Sequence, residues 1–172
     1  VVGTDSHTTS HGAVGFFFNG TATTEMASVW TLGVAVNIEV PATIKVVVNG
    51  TFQPNVGPKD LILHLIGRLT AQGGNFKVLE FHGETIRTMS TSGRLAVCNM
   101  SVEAGATCGI VPADEETVRF LRDESGVQEP LDLVQPDPDA HYIQTLEIDV
   151  SILAPQIACP HMVDNVKPIH EG

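Results

Sequence analysis

The order of strand-like and helix-like segments constrains the fold of this chain more than any other feature. Residues 38–48 and 76–82 are strand-like, because apolar residues dominate the first and alternate along the second. Between them, residues 61–69 form an apolar run with interposed polar side chains, which predicts a helix. The same patterns predict further helices over residues 21–32, 95–105 and 115–122, and a further strand over residues 143–152. Strands that alternate with helices imply an α/β layered fold.

Composition and charge limit the classes of partner. The chain has 172 residues, of which 42% are hydrophobic and 17% are charged, so we expect a soluble globular protein with a sizeable core. Its formal net charge of −11 disfavours binding to nucleic acid or to an anionic membrane surface. No apolar run reaches the roughly 18–20 residues of a membrane span, and no basic-then-apolar signal segment is visible at the start. We therefore expect neither nucleic acid nor a membrane as a partner.

The three cysteines, Cys98, Cys108 and Cys159, predict neither a disulfide framework nor a metal site. They are too few and too unevenly spaced for a framework. They also lack the Cys-x-x-Cys spacing of zinc and iron–sulfur sites, so no residue of this chain is predicted as a metal ligand. We expect each cysteine to be a small buried side chain. Free thiols favour a reducing compartment, so a cytoplasmic location is expected.

Asp5, Ser6 and His7 place a carboxylate, a hydroxyl and an imidazole in three consecutive positions. The apolar residues before them predict the end of a strand, and the glycines behind them predict a tight turn. Ligands and catalytic groups collect at such turns in open α/β sheets. Asp and Ser are also ordinary turn-formers and helix caps, since their oxygens accept free backbone N–H groups. A capped turn and a catalytic site both fit the triplet on its own.

A second polar pair lies far along the chain. Asn99 and Glu103 are four residues apart in the predicted helix over residues 95–105, so they would share one helix face. An amide and a carboxylate placed together could bind the hydroxyl and carboxylate groups of a small acid. A solvated helix face is the alternative, because charged helix residues are mostly exposed.

Four segments together carry a resemblance to a known family. They are Val-Gly-Thr-Asp-Ser-His-Thr over residues 2–8, Cys-Asn-Met-x-x-Glu-x-Gly-Ala over residues 98–106, Pro-Asp-Pro with His-Tyr over residues 136–142, and Ala-Cys-Pro-His-x-Val-Asp-Asn-Val-Lys-Pro over residues 158–168. In this order they resemble the aconitase superfamily. The last segment is most similar to the branch of the 3-isopropylmalate dehydratase and homoaconitase large subunits.

The resemblance implies α/β/α three-layer domains of the aconitase type. We expect residues 1–37 to be the end of a first domain and residues 38–128 to be a second one. The acidic and proline-rich residues 123–139 read as a linker, so residues 129–172 would hold the linker and the start of a third, cluster-bearing domain. The chain opens inside an apparent strand and closes without an ending element, so these domains are expected to be incomplete at both ends.

The resemblance also implies a chemistry, namely reversible dehydration of a hydroxy di- or tricarboxylic acid at a [4Fe-4S] cluster. Asp5 and His7 would form a catalytic pair that helps the hydroxyl leave as water. Glu103, the third expected catalytic residue, would hold the labile oxygen. Ser6 and Asn99 would bind the substrate or contact the surroundings of the cluster.

The cysteine segments that hold the cluster in this family, Ser-Cys-Thr-Asn and a later Cys-x-x-Cys, do not occur in this sequence. The ligands are therefore expected outside this chain, and the chain alone is expected to be inactive. The resemblance further implies a partner, either a small swivelling-domain subunit or a fused domain. A non-catalytic α/β module for binding or assembly is the alternative.

Overall fold

A computed structural model describes residues 2–34 and 38–172. The strands are β1 (Val2–Gly3), β2 (Asn19–Gly20), β3 (Ala42–Asn49), β4 (Lys77–His82), β5 (Cys108–Ile110), β6 (Gln144–Asp149), β7 (Gln156–Ala158) and β8 (Val166–Pro168). The α-helices are α1 (Thr23–Leu32), α2 (Pro58–Leu69), α3 (Glu84–Thr88), α4 (Thr91–Asn99) and α5 (Glu115–Asp123). Four 3-10 helices cover Ser6–Val14, Met100–Ala104, Val150–Ile152 and Ile169–Glu171. None of the helices in these ranges is long and apolar enough to cross a membrane.

A four-stranded sheet with the order β5-β4-β3-β6 is the centre of the fold, and every pair in it is parallel. Along β3, Ile44, Val46 and Val48 are buried and alternate with less buried residues. They join one core with the apolar side chains of α2 and with Leu79 and Phe81 of β4. Parallel strands connected by helices confirm the predicted α/β class.

Strand β6 pairs with β3 in parallel, with Val47 opposite Glu147. The strand expected in the third unit (residues 129–172) therefore shares a sheet with the strands expected in the second (residues 38–128). Residues 124–143, which lead to β6, contain no helix or strand, as expected for the linker. The boundaries themselves stay predictions, and residues 35–37, which end the first expected unit, lie outside the described residues.

Three elements start at other residues than their apolar patterns predicted, and in each case a backbone property explains the shift. The strand predicted over residues 38–48 starts after Pro41, whose nitrogen has no hydrogen to donate. The strand predicted over residues 76–82 starts one residue late, because Phe76 has a φ of 57° and is in the left-handed region. Helix α2 starts three residues early, because Pro58 suits a first turn and Asp60 accepts a hydrogen bond from Gly57 N at 2.9 Å.

Two predicted elements differ in type. The helix over residues 95–105 is α-helical only to Asn99 and continues as the 3-10 helix Met100–Ala104. The strand over residues 143–152 ends at Asp149, where another 3-10 helix begins. The short helix α3 was not predicted. Cys98 and Cys108 are buried as predicted, whereas Cys159 is only half-buried.

The 3-10 helix Ser6–Val14 is seated between α4 and the outer strand β5. Gly12 O accepts a hydrogen bond from Val111 N at 2.9 Å. Gly12 also lies so close to β5 that a Cβ atom on it would be 1.7 Å from Gly109 O. On the other side, the Thr9 hydroxyl is buried and donates to Cys98 O at 3.3 Å. This seat brings the first segment of the chain against residues about 90 positions later.

Candidate functional site

The predicted turn after β1 is a helix start capped by Asp5. Asp5 has extended backbone angles, and its Oδ1 accepts a hydrogen bond from His7 N at 2.6 Å. Thr8 Oγ1 donates to Asp5 O at 2.6 Å. The capped turn expected as one reading of the triplet is thus present. The cap holds the Asp5 carboxylate beside the imidazole of His7, so a capping role and a chemical role use the same geometry.

The His7 imidazole lies between two carboxylates. Its Nδ1 is 3.8 Å from Asp5 Oδ1, and its Nε2 is 3.6 Å from Glu103 Oε1. Ser6 Oγ is 3.0 Å from the same Nδ1. The His7 and Glu103 side chains are 39% and 37% exposed, so the group is open to a ligand. Four of the five predicted site residues therefore form one cluster, although Glu103 is about 100 residues from the other three.

Asn99 joins this cluster through a residue that the sequence did not point to. Asn99 Nδ2 donates to Ser10 Oγ at 2.8 Å, and Ser10 Oγ donates to the backbone carbonyl of His7 at 2.7 Å. Ser10 is three residues after His7 in a Ser/Thr-rich stretch, the spacing at which hydroxyls bond back to a helical backbone. That spacing is the signal by which Ser10 could have been found.

The predicted common helix face of Asn99 and Glu103 is wrong. Asn99 is the last residue of α4, and Glu103 lies in the tighter 3-10 helix that follows. A 3-10 helix has about three residues per turn, so positions four apart do not align on it. The two residues reach one cluster because both approach the His7–Ser10 segment.

Glycine directs the chain from Glu103 into β5. Gly105 ends the 3-10 helix with a φ of 82°, and a Cβ atom on it would be 2.2 Å from Asn75 Oδ1. Glu103 therefore lies in the connection that enters the amino end of β5. The cluster combines the carboxyl end of β1 with the amino edge of the four-stranded sheet, whereas ligands of open α/β sheets usually bind at the carboxyl edge.

The cluster is an open wall rather than a closed pocket. A cavity of about 690 Å³ lies between α1 and the start of β3, but none of the five predicted site residues lines it. What the cluster offers chemically is two carboxylates and a hydroxyl beside the imidazole of His7, with the Asn99 amide linked to the same segment through Ser10. Such a set can donate and accept protons and can bind the hydroxyl and carboxylate groups of an acid.

Cys98 and Cys108 do not contribute metal ligands to this wall. Burial raises the pKa of the Cys98 thiol far above its usual range, and burial also raises that of Cys108. Metals bind the thiolate, so both are poor ligands where they stand. Within residues 2–34 and 38–172, no group of three or more His, Cys, Asp or Glu side chains could hold a metal ion. These residues do not fit a cluster as its ligands, and a cluster would need ligands from elsewhere.

A separate half-buried cluster lies on the sheet surface. Glu80 Oε1 accepts hydrogen bonds from His82 Nε2 at 2.6 Å and from the Tyr142 hydroxyl at 2.9 Å. Burial acts to raise the pKa of Glu80, but the bonds from His82 and Tyr142 hold it below its ordinary value. Burial and the Glu80 carboxylate raise the pKa of Tyr142 to about 12. Lys45 Nζ lies 4.8 Å from the centre of the Tyr142 ring. These contacts attach the end of the linker to the sheet.

Comparison with known proteins places this chain in a family. The model of the aconitase family (aconitate hydratase) matches residues 1–172. The chain is 46% identical over 171 residues to the probable 3-isopropylmalate dehydratase large subunit of Methanothermobacter thermautotrophicus, covering 99% of this chain and 40% of that protein. It is 42% identical over 171 residues to the probable methanogen homoaconitase large subunit of Methanosarcina mazei, covering 99% of this chain and 43% of that protein.

A third relative is the 3-isopropylmalate dehydratase large subunit of Desulfitobacterium hafniense, 42% identical over 173 residues, covering 100% of this chain and 40% of that protein. The chain thus spans about 40% of the length of the curated relatives that it matches. Because the family model matches the whole chain, and the relatives align along nearly all of it, this chain belongs to the aconitase family.

Proposed function

We propose that the complete protein is a hydro-lyase that reversibly dehydrates a hydroxy di- or tricarboxylic acid, of the 3-isopropylmalate dehydratase or homoaconitase type. The observation that carries this proposal is the imidazole of His7 between the carboxylates of Asp5 and Glu103, in a chain of the aconitase family. Dehydration of a hydroxy acid requires a proton for the departing hydroxyl and an acceptor for the proton on the neighbouring carbon. The first requirement is the one that this cluster can meet.

His7 is the proton donor in this proposal. As a proton donor, the imidazole carries a hydrogen on each nitrogen, and Ser6 Oγ and Asp5 Oδ1, at 3.0 and 3.8 Å from Nδ1, orient the ring. Nε2 is then the nitrogen that delivers a proton on the side of Glu103. The Glu103 carboxylate accepts a hydrogen bond from the substrate hydroxyl and holds it beside Nε2 until water leaves. In the reverse direction the same pair takes a proton from water as it adds to the double bond.

Ser6 and Asn99 bind the substrate in this scheme. A hydroxyl and an amide can donate hydrogen bonds to a carboxylate without adding a charge. A polyanionic substrate next to two carboxylates needs further positive charge, which His7 alone does not supply. The resemblance implies that a [4Fe-4S] cluster in the complete protein provides part of it. Its cysteine ligands would lie outside this chain, because the described residues do not form a ligand set.

The relatives' names and the free thiols support a proposal about assembly and cellular context. Several are named large subunits, so we propose a small-subunit or fused-domain partner for the complete protein. The branch suggests a role in leucine biosynthesis if the substrate is 3-isopropylmalate. The buried free thiols of Cys98 and Cys108 suit a reducing compartment and support a cytoplasmic location.

The test is turnover by the complete protein, assembled with its partner and loaded with its cofactor. Each hydroxy acid (3-isopropylmalate, homocitrate, citrate and dimethylmalate) is offered separately, and formation of the unsaturated acid is followed by absorbance. We expect one of the first two to react. His7→Ala and Glu103→Gln should each lower kcat by roughly 10²–10⁴-fold, the usual contribution of a positioned acid or base.

Two controls separate this chemistry from general damage. His11→Ala removes another imidazole from the same 3-10 helix. The centres of the His11 and Phe18 rings are stacked 4.4 Å apart. Glu115→Gln neutralises a carboxylate in the first turn of α5. Both controls should retain turnover. Inactivity of the wild-type protein on all four acids would favour the non-catalytic module, and unchanged turnover in both site variants would contradict the assigned roles.

A further inference from the structure

Ser10 makes two hydrogen bonds that join the two halves of the site. Its Oγ donates to His7 O at 2.7 Å and accepts from Asn99 Nδ2 at 2.8 Å. His7 and Asn99 come from different elements and make no direct bond with each other. The half-buried hydroxyl of Ser10 is therefore the link between the segment that carries the imidazole and the end of α4.

The chemistry of a hydroxyl fixes the direction of both bonds. Ser10 has one hydrogen, and the carbonyl of His7 can only accept, so that hydrogen goes to His7. Ser10 Oγ can then act only as an acceptor toward Asn99, which must present its NH₂ group. The carbonyl oxygen of the Asn99 amide is consequently the atom that does not bond to Ser10. An amide that could bind in either of two orientations is thus held in one.

Other contacts already hold the backbone of this segment. The buried Thr9 hydroxyl donates to Cys98 O, and Gly12 O accepts from Val111 N. These bonds fix the 3-10 helix against α4 and β5 without touching a predicted site side chain. The Ser10 bonds differ from these, because one of them is made with the side-chain amide of Asn99, a predicted site residue.

We propose that Ser10 is a positioning residue of the dehydratase reaction, which fixes the orientation of the Asn99 amide and holds the backbone of His7 in place. This inference rests on the proposed function. Ser10 acts through His7, the proton donor, and through Asn99, which binds the substrate, so its loss should lower kcat and raise KM together. Misplacement of a catalytic group by about 1 Å can cost about 100-fold in rate.

The decisive comparison is Ser10→Thr against Ser10→Val in the complete, cofactor-loaded protein. Threonine and valine have nearly the same shape, and only threonine keeps the hydroxyl. We expect Ser10→Thr to retain kcat/KM within about threefold of wild type and Ser10→Val to lose about 10- to 100-fold in kcat/KM. Thr9→Val, which removes a buried hydroxyl that reaches no site side chain, is the matched control for lost stability.

A double-mutant cycle distinguishes positioning from a merely structural role, because general loss of stability would not make the effects of two variants on kcat/KM non-additive. If Ser10 acts through the amide, Ser10→Val and Asn99→Ala are strongly non-additive, and the double variant is about as slow as the slower single variant. Equal kcat/KM for the Thr and Val variants, additive effects in the cycle, or a comparable loss of kcat/KM in Thr9→Val at a matched fall in Tm would overturn the inference. Those outcomes require an active wild-type protein, whereas an inactive one counts against the proposed function instead.

Discussion

His7 Nε2 and Glu103 Oε1 lie 3.6 Å apart, although 95 positions in the sequence separate the two residues. Neither residue belongs to the strands of the main sheet. The imidazole is placed by the cap at Asp5, and the carboxylate is placed by the 3-10 helix that leads into β5. The pair therefore depends on the contact between these two segments.

We expect His7 and Glu103 to act as a unit in the complete protein. His7→Ala and Glu103→Gln should each cost at least about 100-fold in kcat, and the double variant should cost little more than the worse single one. If the two residues transfer a proton together, as proposed, the loss of either one already removes the step that both serve. The measurement is a kinetic double-mutant cycle. A cycle of His7→Ala with Glu115→Gln is the control, and multiplicative losses in the His7–Glu103 cycle would show that the two act independently.

Gly12→Ala should disrupt the site from a distance. The added methyl group would be 1.7 Å from Gly109 O, and that atom belongs to the backbone of β5 and cannot rotate away. The 3-10 helix would have to move outward and carry His7 away from Glu103. Overpacking of this kind costs about 1–3 kcal/mol or more, so both Tm and kcat should fall. Gly57→Ala is the control, because no atom beyond its own chain neighbours lies within 4 Å of its added methyl group. A Gly12→Ala protein with wild-type Tm would contradict the close packing of the 3-10 helix against β5.

The ion pair of Arg94 and Asp114 should matter more for stability than any surface pair. Arg94 is fully buried, and its guanidinium donates to both Asp114 oxygens, at 2.6 and 2.7 Å. Asp114→Ala would leave that charge buried without its partner, which costs about 3–5 kcal/mol. Differential scanning calorimetry of the complete protein should show a clear fall in Tm. Arg119→Ala, which breaks an exposed pair with Glu116, should change Tm much less.

The same pair predicts a dependence of stability on acid. Burial acts to raise the pKa of Asp114, but Arg94 and the helix-capping bonds hold it below the ordinary value. A depressed pKa in the folded state means that the stabilisation is complete above about pH 4, the pKa of an unfolded Asp. It is lost as the pH falls through the lower folded value. The Tm difference between wild type and Asp114→Ala should therefore narrow below pH 4, and a difference that stays constant there would be inconsistent with a paired carboxylate.

Tyr142 should ionise late. Burial and Glu80 raise its pKa to about 12, compared with about 10 for an unperturbed tyrosine. The neutral phenol is thus favoured by the fold, so its stabilising contribution is present below pH 10 and disappears as the pH rises through about 12. The alkaline absorbance difference between wild type and Tyr142→Phe isolates this residue. Glu80→Gln should move the transition part of the way toward pH 10, and a transition already at pH 10 in wild type would refute the contact.

The order of elements could be predicted because it depends on local patterns. Apolar periodicity indicated α1, α2 and β4 to within three residues, and alternating strands and helices indicated the α/β class. The strand order could not be predicted in this way. The position of β6 beside β3 depends on contacts between residues about 100 positions apart, which no local pattern records. The five-residue helix α3 was missed because it is too short to show a period.

The proximity of the candidate residues could be predicted better than their arrangement, and their roles stay predictions. The resemblance brought Asp5, His7 and Glu103 together, and the structure brings the same residues into one cluster. The geometric argument for Asn99 and Glu103 failed because it assumed a regular α-helix. The short connection from α4 to β5 turns at Gly105 and tightens the last residues into a 3-10 helix. Ser10 was missed because a serine among serines and threonines looks like ordinary loop composition.

The close approach of Gly12 to Gly109 has a consequence for assembly as well as for chemistry. Strand β5 is one of the two edge strands of the four-stranded sheet, and an edge strand with free backbone groups invites pairing with a second molecule. The segment that carries His7 occupies this border and accepts the hydrogen bond of Val111 N. If the segment moves away from β5, His7 is displaced from Glu103 and the edge strand becomes free to pair with another molecule at the same time. Inactivation and aggregation should therefore begin together on heating, with one shared onset rather than two.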